Sequence, residues 1–225
     1  MTSDELWLRT ILLHNTVAIT DIQLSQLSRY RALLAEWNRK INLVSRRDED
    51  RIWDTHILLS LSYLFFIRFP DGSRVLDLGT GGGLPGIPLA IMHPACGFTL
   101  LDSIRKKTTA VDAMARELGL SNVEVVNARA EEINHLPHHR NNYDIVTARS
   151  VSDLSNLLAW GLPFLKKHGH SSLVSLKGTE IESELAQARK AFPRIAIESK
   201  PLVFKGSEGL VNTDRQMIIA HPQHH

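Results

Sequence analysis

A chain of 225 residues, 43% of them hydrophobic, suffices for one large domain, or a domain with a helical extension, without a metal or disulfide staple. Its single cysteine, Cys96, excludes an internal disulfide and suits a reducing compartment. A net charge of +2, with 11 histidines in reserve, permits nucleic-acid binding without demanding it.

The first residues are acidic and helix-like, unlike the basic-then-apolar pattern of a signal peptide. Thr2 with Glu5 and Thr20 with Gln23 read as two capping boxes. After Thr20, Leu24, Leu27, Leu34, Trp37 and Ile41 fall at the spacing of one buried helical face. A break is expected over residues 42–50, then an apolar helix over 51–66 and a turn at Pro70, Asp71 and Gly72. The apolar run 57–69 is too short to span a bilayer and is interrupted by Ser60, Ser62 and Arg68. A soluble cytoplasmic protein with no membrane partner is expected.

From Arg74 the rhythm changes to short apolar runs alternating with helical ones. Strands are predicted over 74–78, 98–101, 123–127, 144–148 and 172–176, with helices around 88–92, 106–118 and 154–165. Thr179 with Glu182 caps a further helix carrying Ile181, Leu185, Ala188 and Phe192 on one side. Two β-rich segments, 195–204 and 216–220, follow, joined by a polar loop. The fold class is therefore α/β: a mostly parallel Rossmann-like sheet ending in an antiparallel C-terminal hairpin. Trp7, Trp37, Trp53 and Trp160 read as helix packing, and Cys96 as a small residue entering the second strand.

The sharpest local signal is Val75-Leu-Asp-Leu-Gly-Thr-Gly-Gly-Gly-Leu-Pro-Gly86, placed where the first strand hands over to a helix. Glycines there let the backbone turn tightly and approach a ligand. Asp102 ends the second strand, where a carboxylate can accept hydrogen bonds from both hydroxyls of an adenosine ribose. Gly81, Gly83 and Gly86 also satisfy the dinucleotide spacing G-x-G-x-x-G. Pro85 and Pro88, however, remove N–H donors that a pyrophosphate cradle needs. Together with Asp77, typical of a loop whose carboxylate lies near a methionine portion, this favours S-adenosylmethionine over NAD as the cofactor.

Seven motifs stand out along the chain: Trp37-Asn38-Arg-Lys-Ile-Asn42-Leu43, His56-Ile57-Leu58, the loop Asp77–Gly86, Phe98-Thr-Leu-Leu-Asp-Ser103, Arg129-Ala-Glu-Glu132, Thr147-Ala-Arg149 and Leu176-Lys-Gly178. Together they resemble the glucose-inhibited division protein B family, the bacterial 16S rRNA guanine-N7 methyltransferases. The resemblance covers nearly the full length. It implies that Asp77, Gly79, Gly81, Leu84, Asp102, Ala130, Glu131 and Arg149 hold the cofactor. It also implies that Asn42, His56, Arg129 and Arg149 converge near the transferred methyl. Residues 1–70 would form a helical cap over a core spanning 71–225, and the partner would be 16S rRNA or the small ribosomal subunit. A monomer without metal is expected, since His135, His138, His139, His221, His224 and His225 lack the paired spacing of a zinc site. Family members usually carry an arginine just before the histidine of the second motif and an aspartate three residues after it. Here those places hold Thr55 and Leu59, which bears on substrate binding and catalytic vigour and leaves the cofactor pocket intact. Gly82 stands where proline is common.

The chemistry agrees with these residue types. Guanine N7 carries a lone pair and no proton, so its attack on a sulfonium methyl needs alignment rather than a base. Arg149 or Arg129 is expected at the guanine O6 or at a phosphate. No Asn-Pro-Pro-Tyr motif of exocyclic-amine methylation follows the fourth strand, and Cys96 is badly placed to be the nucleophile of cytosine C5 methylation. Basic clusters Arg39-Lys40, Arg46-Arg47 and Arg105-Lys106-Lys107 could rim one crevice mouth. Three alternatives stay open at this point: a class I methyltransferase of another substrate, a non-catalytic RNA-binding relative that keeps the cofactor pocket, and an NAD-dependent oxidoreductase.

Overall fold

Both expected capping boxes open helices. Thr2 caps α1 (Ser3–His14) and Thr20 caps α2 (Asp21–Asn38), with Glu5 and Gln23 reaching back to the cap backbones. Gln23 also donates to the carbonyls of Ile91 and Met92, at 3.2 and 3.1 Å, so it satisfies the end of another helix as well. These facts come from a computed structural model that describes residues 1–167, 169–178, 181–208 and 215–222, with Arg46 described through its backbone alone.

The single apolar helix expected over 51–66 is three short helical segments of different winding instead. A 3₁₀ helix at Arg46–Arg51 occupies the expected break, followed by a π-helical turn at Trp53–Leu58, α3 (Leu59–Leu61) and a 3₁₀ turn at Ser62–Phe65. Nearly every side chain from Ile52 to Tyr63 is buried, so packing on all sides, rather than one apolar face, sets the local winding.

The alternating region forms β1 (Arg74–Leu78), β2 (Gly97–Asp102), β3 (Val123–Asn127), β4 (Ile145–Arg149), β5 (Ser172–Gly178), β6 (Ile195–Pro201) and β7 (Arg215–Pro222). They make one seven-stranded sheet in the order β3-β2-β1-β4-β5-β7-β6. The pairs among β1 to β5 are parallel, and β7 runs antiparallel to β5 and β6, as the expected C-terminal hairpin requires. The helices are α4 (Gly86–Met92), α5 (Arg105–Glu117), α6 (Ala130–Ile133), α7 (Leu154–Gly161) and α8 (Glu182–Ala191). The four-residue α6 is too short to leave a periodic signature, and no helix was expected there. The predicted cap Thr179 and part of the polar loop before β7 lie outside the described residues.

Alternation along the strands sends side chains to two cores. Val75, Phe98, Leu100 and Val174 join Leu27, Tyr30, Ile57, Tyr63, Ile87 and Val111 on one face. Leu76, Leu101, Val146 and Leu173 meet Leu158, Leu185 and Ala188 on the other. The N-terminal helices thus share a core with α4 and α5. Among the described residues, no helix is long and apolar enough to cross a membrane.

Candidate active site

In a doubly wound sheet, ligands bind beyond the carboxyl ends of the strands, where the strand order reverses. Here that point lies between β1 and β4. A crevice of about 650 Å³ opens there, lined by Leu78 and Gly79 where β1 ends, Asp102 closing β2, Arg149 closing β4 and Arg215 at the start of β7. That is the size of a nucleoside-derived ligand site.

The glycine loop is pinned under this crevice. The Gly79 and Thr80 amides both donate to the Leu101 carbonyl, at 2.8 and 2.9 Å. Gly79 is left-handed (φ +70°), and a Cβ on it would lie 2.7 Å from Val151. Only glycine turns the chain there without pushing Val151, itself a crevice residue, out of place. Asp77 is fully buried beneath the loop. Its Oδ2 accepts from the Thr80 hydroxyl (2.6 Å) and the Gly86 amide (3.0 Å), and its Oδ1 from the Thr147 hydroxyl (3.0 Å). Burial, only partly offset by those bonds, raises its pKa to about 6. From α2, the buried Tyr30 hydroxyl donates to the Gly82 carbonyl at 2.8 Å.

Asp102 is 8% exposed and faces the crevice. Its Oδ2 accepts from the Gly81 amide and its Oδ1 from the Ile104 amide, both at 2.9 Å. Each oxygen keeps a second lone pair, which is what two vicinal ribose hydroxyls require. The site therefore fits the adenosine half of S-adenosylmethionine.

The opposite wall comes from the N-terminal region. Asn38, the last residue of α2, takes the Leu43 and Val44 amides on its Oδ1, both at 2.9 Å, and donates to Glu49 at 2.7 Å. This bends the chain so that Leu43, Val44, Ser45 and Asp48 line the crevice. The π-helical turn presents His56, which is 8% exposed. Arg149 donates from Nη2 to His56 Nδ1 at 3.2 Å. Burial, then the cations Arg149 and Arg215, push the His56 pKa down to about 3, so the imidazole is neutral. Its Nε2 is buried with no hydrogen-bond partner and lies 3.7 Å from Asp48 Oδ2. Behind them, the buried Tyr63 hydroxyl donates to the Ala148 carbonyl at 2.6 Å and accepts from the Leu176 amide at 3.1 Å.

Of the residues expected at the site, Gly79, Gly81, Leu84, Asp102, Ala130, Glu131, Arg129, Arg149 and His56 line this crevice. Asp77 and Asn42 do not. Asp77 braces the loop from below, its oxygens engaged by three donors of the protein. Asn42 is exposed, and the asparagine that organises its loop is Asn38. Arg129 is exposed at the rim, while Arg149 is held against His56. Of the basic-cluster side chains among the described residues, Lys107 lines the crevice. Trp160 packs against the second core and also reaches the crevice, more than its reading as packing alone allowed. His139 pairs with the Tyr143 hydroxyl at 2.9 Å; His224 and His225 lie outside the described residues. Sequence reasoning missed Asp48, Tyr63 and Arg215. Only Arg215 carried a readable signal: the first residue of an antiparallel closing strand must lie at the carboxyl end of the parallel ones, and it pairs with Gly178 at the end of β5.

A sheet of this order, with a glycine loop after β1 and a carboxylate closing β2, is a Rossmann-like methyltransferase fold. A solved S-adenosylmethionine-dependent methyltransferase from Aquifex aeolicus shares it with a TM-score of 0.58 at 15% identity, over 84% of this chain and 98% of that one. The particular family is shown by sequence. The model of the rRNA small subunit methyltransferase G family (GidB) matches residues 23–215, and the chain belongs to that family. The ribosomal RNA small subunit methyltransferase G of Christiangramia forsetii is 42% identical over 77% of this chain and 82% of its own length. That of Lactococcus lactis subsp. cremoris is 36% identical over 90% and 83%. The protein is an S-adenosylmethionine-dependent methyltransferase.

Proposed function

We propose that the protein methylates N7 of a guanine in the 16S rRNA of the small ribosomal subunit, acting in the cytoplasm as a monomer without a metal. Residues 1–70 serve as the cap over the crevice in this reading. The observation that carries it is His56, held in the crevice wall against Arg149: burial and two flanking cations push its pKa down to about 3, which makes it too weak a base to strip a proton from an amine or hydroxyl. N7 needs no base. Held by these residues, S-adenosylmethionine would supply an electrophilic sulfonium methyl, whose transfer to the N7 lone pair would leave the carbon–sulfur electron pair on sulfur and call for no proton acceptor.

Each residue then has a physical task. Gly79, Gly81 and Leu84 hold the methionine end, Asp102 the ribose, and Ala130 and Glu131 the adenine. Arg149 fixes His56, and the exposed Arg129 and half-buried Lys107 meet RNA phosphates, so RNA binding weakens with salt. The test is transfer of tritiated methyl to unmethylated small subunits and to naked 16S rRNA, followed by nuclease digestion and mass spectrometry. Appearance of 7-methylguanosine is expected. Label in another nucleoside, or none with well-folded enzyme that binds its cofactor, overturns the reading.

A further inference from the structure

The unpartnered nitrogen of His56 has a definite protonation state. A guanidinium only donates, so Nδ1, 3.2 Å from Arg149 Nη2, holds the lone pair and the hydrogen resides on Nε2. That N–H belongs to a side chain 8% exposed in the crevice wall and has no acceptor within hydrogen-bond range. The nearest candidate, Asp48 Oδ2, is 3.7 Å away. Beside each other in one wall, then, stand a neutral donor and a carboxylate acceptor. The charged groups around them are Arg149 on β4 and Arg215 on β7, both cations that disfavour a protonated imidazole. Buried donors in native proteins normally have partners, and one left unpaired on a residue of the crevice wall points to a ligand atom.

We propose that this pair reads the edge of the target base: His56 Nε2–H donates to guanine O6, and the Asp48 carboxylate accepts from guanine N1–H. The proposal rests on the guanine-N7 reading above. O6 lies between N7 and N1, so a base gripped in this way keeps its N7 lone pair free for the methyl. Adenine presents the opposite pattern, an amine where guanine has O6 and a lone pair where guanine has N1–H. It would set donor against donor and lone pair against carboxylate. Sites built to hydrogen-bond one polar pattern reject its inverse strongly, because buried groups are left unpaired. Methylation also makes the purine cationic and its N1–H more acidic, so the contact to Asp48 strengthens towards the transition state, where catalysis needs it. Arg149 acts through His56 as a positioning residue by fixing its tautomer.

The experiment uses the full-length enzyme and small subunits assembled on rRNA in which the mapped target guanosine is kept, replaced by inosine, or replaced by adenosine. Inosine retains O6 and N1–H and lacks only the 2-amino group. The wild-type enzyme should methylate inosine within about threefold of guanosine, and adenosine at least about a hundredfold more slowly. His56→Asn keeps an acceptor for Arg149 but cannot reach the Nε2 position, and should lower kcat/KM on guanosine by about tenfold or more. His56→Gln reaches that position with an amide that can turn either way. It should retain more guanosine activity than His56→Asn and narrow the guanosine-to-adenosine ratio about tenfold, as should Asp48→Ala. Equal use of adenosine and guanosine by the wild type, or rejection of inosine, overturns the proposal without needing any variant to fold. If 7-methylguanosine forms but the ratio is unmoved in His56→Gln and Asp48→Ala, the pair is not the reader while the methyltransferase reading stands. If no 7-methylguanosine forms at all, that reading fails and the proposal falls with it.

Discussion

Asp77 offers the sharpest separation between holding the loop and holding the ligand. Replacing it by asparagine keeps its shape. The amide oxygen can take the Oδ2 place and accept from the Thr80 hydroxyl and the Gly86 amide. The amide nitrogen then donates to the Thr147 hydroxyl, which turns towards the Leu76 carbonyl, already 3.5 Å away. What changes is the charge. An acid raised from 3.8 to about 6 by burial is disfavoured as its anion by about 3 kcal/mol. The sign follows from linkage: below 3.8 the acid is neutral in folded and unfolded chains alike, and stability is lost as pH rises through about 6. Asp77→Asn removes this loss, so its stability relative to wild type should climb by about 3 kcal/mol between pH 3 and pH 7. Asp77→Ala leaves the Gly86 amide and two hydroxyls without their acceptor, at about 1–3 kcal/mol each, and should be the least stable of the three at every pH. Urea unfolding at closely spaced pH values measures both. Calorimetry supplies the functional arm. S-adenosylmethionine affinity should stay within about threefold of wild type in Asp77→Asn, whereas Asp102→Ala, which removes two charge-assisted acceptors, should lose about a hundredfold or more. A stability difference that is flat with pH, or an affinity loss in Asp77→Asn matching that of Asp102→Ala, refutes the assignment of Asp77 to the scaffold.

Gly79→Ala combines about 1–2 kcal/mol of left-handed strain with a Cβ that meets Val151, so cofactor affinity should fall at least tenfold along with the melting temperature. An unchanged affinity by calorimetry would show that the loop accommodates the methyl. Tyr63→Phe strips the Ala148 carbonyl and Leu176 amide of their shared partner and should cost about 2–4 kcal/mol in urea unfolding. A cost under about 0.5 kcal/mol would mean that these groups satisfy each other. Asn38→Ala frees the Leu43 and Val44 amides and should raise KM for the ribosomal substrate more than KM for S-adenosylmethionine, because the loop it bends carries Asp48 and not Asp102. Equal effects on both would place the loop's influence on the cofactor instead.

What the sequence made legible was whatever depends on neighbours in the chain. Strand periodicity survives because β1, β2, β4 and β5 are short apolar runs buried along most of their length, and α5 and α8 keep the one-sided burial of amphipathic helices. The capping boxes at Thr2 and Thr20 act across three residues, and the glycine loop and Asp102 sit at strand ends fixed by topology. The illegible parts depend on distant segments. Winding over 53–58 is set by packing from every side. Asp48 reaches the crevice only because Asn38 folds the intervening chain. Tyr63 finds its partners at the ends of β4 and β5, 85 and 113 residues away. Asn42 illustrates the limit of a motif: the motif locates a loop, and the bonding decides which of its two asparagines holds it.

Thr55 and Leu59, the two places where the chain departs from its family's usual arginine and aspartate, make physical sense as a joint change. Both sites are buried, each 5% exposed. Leu59 belongs to the core shared by the N-terminal helices and the sheet, and the Thr55 hydroxyl donates to the Arg51 carbonyl at 2.6 Å. Removing one member of a buried ion pair leaves a stranded charge, whereas replacing both with groups that pack or bond locally can be neutral or stabilising. The crevice keeps its cations without position 55, since Arg149 and Arg215 flank His56. It follows that Leu59→Asp alone should destabilise the fold by about 3–5 kcal/mol, since the carboxylate would enter the core with threonine rather than arginine beside it. Unfolding measured over a pH series gives the loss, which grows with pH until the raised pKa of the buried carboxylate is passed. A variant as stable as the wild type there would show that position 59 retains a partner for an acid, and that the two departures are independent.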